Sequence, residues 1–188
     1  MALQAPAKYQ SQPAVKTATD RALDCLSKIQ DAAGGFDSWG KKNSESCVQV
    51  IVALCELDIS PDDPRFVKNG NSLPDNLFTY RLSNGSFRHV AGGVSHLMAT
   101  EQGFYAMVAR AAKLCGMNTE MEDDEILNTL AQFGDYVSAG AWARESLASC
   151  YREWILDQAD LNVEPHRVIL RCEIAQMVYN LLGCAELL

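Results

Sequence analysis

KIQDAAGGFDSWGKKNSESCVQVIVALCEL, residues 28–57, decides the fold. Its first residues close an amphipathic pattern that runs from Val15 through Ala18, Ala22 and Leu26 to Ile29, with Asp20, Arg21, Asp24 and Lys28 outside the apolar stripe. Such spacing predicts a helix with one face on a core. The helix stops at Ala33-Gly34-Gly35, where two glycines supply the positive φ that ends a helix at little cost. A second helix is predicted from about Ser44. Its run CVQVIVALCEL is apolar on nearly every face, so protein has to surround it. The stretch is therefore the corner between an outer amphipathic helix and an inner buried one.

The same order recurs downstream. Pro61 and Pro64 in SPDDP, residues 60–64, forbid continuation of the inner helix. Leu73, Leu77, Phe78 and Leu82 then predict a short helix over about 72–82, Asn84-Gly85 turns the chain, and GFYAMVARAAKL lies in a broadly apolar helix over about 98–115. Gly34-Gly35-Phe36 and Gly85-Ser86-Phe87 are equivalent turns 51 residues apart, and Glu45 and Glu101 stand near the openings of the helices that follow. A repeated helical hairpin stacks outer helices around inner ones. Upstream, residues 1–14 with Pro6, Pro13 and several glutamines are expected to form a flexible leader.

Residues 15–116 resemble the α/α-toroid repeats of the prenyltransferase and terpene-cyclase superfamily, on Gln30, Gly34, Gly35, Phe36 and Trp39. Two hairpins are too few to close a toroid, so the resemblance implies an open arc whose apolar edge meets further upstream repeats or a second copy. It also raises an enzyme as the rival function, or capture of a small ligand. Trp39, Phe87, Phe104 and Tyr105 would line the concave surface, or else pack between the hairpins. A cyclase needs a carboxylic acid in an apolar cavity, within an Asp-x-Asp-Asp motif that this chain lacks. A protein prenyltransferase needs zinc, but Asp24-Cys25 fall on an outer helix and His89, His96 and His166 have no ligand spacing. We expect no catalytic residue, no metal and no cofactor.

Residues 117–130 are acid-rich and are expected to be a linker, with Glu122-Asp-Asp-Glu125 as solvated linker or helix start. After them a short FGD segment, a helix over 141–153, a loop and a helix over 169–182 form a second unit, residues 131–188. Ala143, Leu147, Cys150 and Tyr151 make one stripe and Leu170, Ile174, Met177, Val178 and Leu181 another, so the two helices should bury them against each other and the loop.

This order resembles one S-layer homology repeat, a module that holds bacterial proteins on secondary cell-wall polysaccharide without covalent chemistry. The match rests on Phe133, Asp135, Trp142-Ala143, Ile155, Asp157, Pro165, Arg171 and Glu173. The resemblance implies ligand contact for Arg171. At a helix start its guanidinium adds a bidentate fork to the helix dipole and could hold a carboxylated sugar, or it could pair with Glu173 or Asp157 and pin the loop. Asp135 would cap a helix or order the loop, or touch ligand, and Trp142 would stack on a sugar or anchor the packing. Trp154 stands where the family has glycine, which puts a bulky residue at a positive-φ position.

The expected fold is all-α: a partial toroid of two hairpins followed by a two-helix S-layer homology module. The expected function is a non-enzymatic, extracellular cell-wall anchor. The formal charge of −8 is divided as +1 over residues 1–116 and −9 over 117–188. No basic stripe serves a phosphate backbone, which sets nucleic acid aside, and no apolar run is long enough for membrane insertion. The opening residues lack a secretory signal, so an exported form is expected to be a mature or partial chain. Seven cysteines without a CxxC indicate neither a full disulfide framework nor a zinc knuckle.

Overall fold

A computed structural model describes residues 2–117, 121–157 and 162–186. Among these the chain is all-α apart from one small two-stranded hairpin. It divides into two compact units, Met1–Arg110 and Ala111–Leu188. The division falls upstream of the 117–130 stretch in which the sequence puts it.

In the first unit, α1 (Pro13–Ile29) starts with proline, whose fixed φ and missing N–H suit the first helical position. It buries Thr19 and Leu23 and carries Leu26 against the core. Residues 2–12 are not detached from it. They contain a single 3-10 turn at Ala7–Tyr9, the Gln10 amide donates to Thr19 Oγ1 at 3.0 Å, and Leu3 packs on the core.

α2 (Ser44–Glu56) is the centre of this unit. Asn43 caps it by accepting from the Ser46 N–H at 2.8 Å, and Cys47 through Cys55 are buried except Gln49. A helix apolar all round needs partners on every side. Leu23 of α1, Leu73 and Leu77 of α3 (Leu73–Phe78), Ala99 and Ala106 of α4 (Leu97–Leu114), and Phe36, Phe66 and Phe87 supply them. A polar link between the inner helices joins the Gln49 amide to Gln102 Oε1 at 2.7 Å.

The two turns match in backbone detail. The Asp31 N–H donates to Gly35 O and the Gly34 N–H to Asp31 O; 51 residues later the Leu82 N–H donates to Ser86 O and the Gly85 N–H to Leu82 O. Gly34 and Gly85 have φ of 82° and 85°, and Phe36 and Phe87 are each 5% exposed. Gly35 differs from the sequence expectation: only Gly34 of the pair has a positive φ. Gly35 is small because a Cβ there would lie 2.6 Å from the Asn76 amide at the other side of the corner.

In the second unit, α5 (Asp123–Leu130) occupies most of the stretch expected to be a linker. Its three acids in the first turn favour the positive end of the helix dipole, and Leu130 is fully buried. Residues 118–120 lie outside the described residues. α5 packs on α6 (Ala141–Arg152), and Met121, Leu130, Phe133 and Ala148 form the core, with the Phe133 and Tyr151 rings edge to face at 5.1 Å. The stripe expected to seal α6 against α7 (Arg171–Cys184) is not buried: only Leu181 of α7 is, while Ile174 is 44% exposed. α5 instead covers Ala148 of α6, with Leu147 and Tyr151 packed at the edge of that core.

Candidate functional site

Poor packing of α7 leaves an open groove of about 1590 Å³ within the second unit. Trp142, in the first turn of α6, and Trp154, just past its end, both line it and are 90% and 70% exposed. Trp154 has φ 59°, so its bulky side chain sits at a left-handed backbone position. The helix is closed there by the Ile155 N–H donating to Cys150 O at 2.8 Å. From α7 come Glu173, Tyr179 and Asn180. The Asn180 amide donates to Ile155 O at 3.1 Å and ties the helix to the loop that leaves α6.

The cation of the groove is Arg167, between two carboxylates. Its guanidinium donates to both oxygens of Glu173, at 2.7 and 3.2 Å, and pairs with Glu164. The Arg167 fork, and after it the Leu170 N–H at 2.6 Å, hold the Glu173 carboxyl below its ordinary value; Glu173 and then Glu164 push Arg167 up. The lining therefore offers broad aromatic faces beside the paired Arg167, Glu173 and Glu164, with Glu153 and Asp157 as further carboxylate acceptors. That combination suits a neutral or weakly charged polyhydroxy ligand, which stacks through C–H faces and hydrogen-bonds through hydroxyls.

The expected ligand residues divide. Trp142 and Glu173 line the groove. Arg171 opens α7 as an exposed residue, is not part of the lining, and is joined to no other described residue by a side-chain hydrogen bond or ion pair. Asp135 orders the loop: its two carboxylate oxygens accept from the Val163 and Glu164 N–H groups at 2.7 and 2.8 Å. Sequence reading missed Arg167, Trp154, Tyr179 and Asn180 as lining groups. The acid–base spacing of Glu164 and Arg167 was a visible signal for the first of these; for Tyr179 and Asn180 there was none, because a groove formed by an under-packed helix has no periodicity of its own. Gln158, Ala159, Asp160 and Leu161 of the intervening loop lie outside the described residues.

In the first unit the proposed toroid-surface residues scatter. Phe87 is buried, with its ring where a Cβ on Gly103 would need to be, 2.7 Å away, so it packs between turn and helix. Phe104 and Tyr105 are about half exposed on α4. Trp39 is wholly exposed at the tip of the hairpin formed by β1 (Asp37–Ser38) and β2 (Lys41–Lys42). It and Gly40 have φ of 54° and 74°, as a type I′ turn requires. Nearby in chain order, Glu45 at the start of α2 holds His89 Nδ1 at 2.8 Å, and the His89 and His96 rings lie 5.8 Å apart.

Among the described residues no group of three or more His, Cys, Asp or Glu is arranged to hold a metal ion, and no helix is long and apolar enough to cross a membrane. Neither a protein-family model, nor a curated protein, nor a solved structure matches the chain.

Proposed function

We propose that residues 131–188 are an S-layer homology-type module that holds the chain non-covalently on secondary cell-wall polysaccharide at the cell surface, and that residues 15–116 are the displayed part, two hairpins of α/α-toroid type. One observation carries the reading: a groove contained in the second unit with Trp142 and Trp154 exposed along it. Tryptophan in contact with water gives up apolar burial, and a flat sugar face recovers that loss better than a small ion or a phosphate chain does. Arg167 and Glu173 satisfy each other and orient the ligand through their remaining lone pairs and protons, while Arg171 at the mouth of α7 meets a carboxylate substituent on the same polymer.

The test is sedimentation with purified bacterial cell walls. Wild type is expected to co-sediment, Trp142→Ala and Trp154→Ala to lose about tenfold in affinity each, a step worth roughly 1.4 kcal/mol. Arg171→Ala should weaken binding only to walls whose polymer carries carboxylate groups. Equal failure of wild type and all three variants to sediment sinks the proposal.

A further inference from the structure

Cys115 follows the last residue of α4, and its thiol points at the final turn of α7, with Sγ 3.7 Å from the Leu181 carbonyl oxygen. Cys184 sits one turn beyond Leu181 on the same helix, which brings its thiol beside that of Cys115. Both belong to the second unit. Leu181 is the buried residue of α7, so the two thiols flank the helix's apolar anchor, while Tyr179 is 61% exposed and Leu170, at the other end of the helix, 56%.

We propose that Cys115 and Cys184 form a disulfide that clamps the last turn of α7 to the segment following α4. Two thiols and a small-molecule disulfide of the glutathione class give the protein disulfide and two small thiols. The Cys184 thiolate attacks the reagent's S–S bond and expels one thiolate. The Cys115 thiolate then attacks the Cys184 sulfur of the mixed disulfide and expels the other. Burial, together with Cys184 and Glu153 alongside, pushes the Cys115 thiol up to about 12. A thiol so reluctant to ionise attacks slowly, so the bridge forms slowly. The remaining thiols differ in setting: Cys47 and Cys55 are buried in the first unit's core, Cys150 is half-buried on α6 with its thiol pushed up by burial, and Cys25 and Cys172 are exposed. This inference does not depend on what the groove binds.

The experiment uses the full chain with Cys25→Ser and Cys172→Ser, which suppresses linkage between molecules. After incubation with oxidised glutathione and before any alkylation, the intact mass is expected to fall by two hydrogens relative to the reduced chain. Digestion without reductant should yield one crosslinked peptide pair containing Cys115 and Cys184. The thermal midpoint should rise by about 5–10 °C over the reduced protein. Adding Cys184→Ser removes both the crosslink and the rise. A crosslink between other cysteines, or complete alkylation of Cys115 and Cys184 after oxidation, overturns the proposal. Where Cys184→Ser fails to fold, the peptide map of the parent protein decides by itself.

Discussion

A Cβ on Gly35 would meet the Asn76 side chain at 2.6 Å, and that side chain is not free to swing away, because its amide donates to Ala33 O at 2.8 Å. Gly35→Ala is therefore expected to cost about 1–3 kcal/mol in urea unfolding, by overpacking or by loss of that hydrogen bond. Gly40 has no atom within 4 Å of its would-be Cβ and a φ of 74°, so Gly40→Ala should cost only the left-handed backbone penalty, about 1 kcal/mol. Asp31 in the same corner tests its electrostatics. Burial resists ionisation there, but Lys42 at 2.7 Å and the Gly35 and Ala33 N–H groups outweigh it and hold the carboxyl below its ordinary 3.8. A carboxyl depressed in the folded state stabilises above its unfolded value and loses that stabilisation as pH falls through the folded one. The stability gap between wild type and Asp31→Asn, read from denaturant curves, should be full near neutral pH and should close progressively below pH 3.8; a gap that widened in acid would contradict the assignment.

At the scale of elements, helices whose surroundings are dictated by their own composition were easy to read, and helices that depend on a neighbour were not. α2 announces its burial because nearly every face of it is apolar, and the Gly-Gly-Phe corner announces its turn. The 117–130 stretch was harder, since acids in a first turn look the same in a linker as in α5, and only Leu130 in the second unit's core distinguishes them. The loop after α6 is held in place by Asp135 rather than by any apolar contact of its own that periodicity could reveal. Asp135→Ala leaves the Val163 and Glu164 N–H groups without their acceptor. The second unit is expected to lose about 1–3 kcal/mol in thermal or denaturant unfolding while α2 keeps its protection. The candidate site was legible in part: Trp142 and Glu173 were reached by motif resemblance, whereas Arg167 enters the groove through local ion pairs and Asn180 through a hydrogen bond across the fold.

The chain distributes its apolar burial unevenly, with Leu23, Val48, Ile51, Leu54, Phe66, Leu73 and Leu77 at 0–1% exposure in the first unit and, among the described residues, a smaller buried cluster of Met121, Leu130, Phe133 and Ala148 in the second. Amide hydrogen exchange should follow that distribution: slowest in α2, faster in α5 and α6, fastest in α7. Protection of α7 equal to that of α2 in the reduced protein would contradict it. The sequence by itself determined what local physics determines: helical class, the positions of the turns, the repeated corner and the buried character of α2, since glycine, proline and apolar periodicity act within a few residues. Only the tertiary structure decided which face of α6 is covered, that Arg167 rather than Arg171 answers Glu173, and that the space beside α7 stays open. Those outcomes are competitions between distant partners for one surface, and a linear pattern records each competitor without recording which one wins.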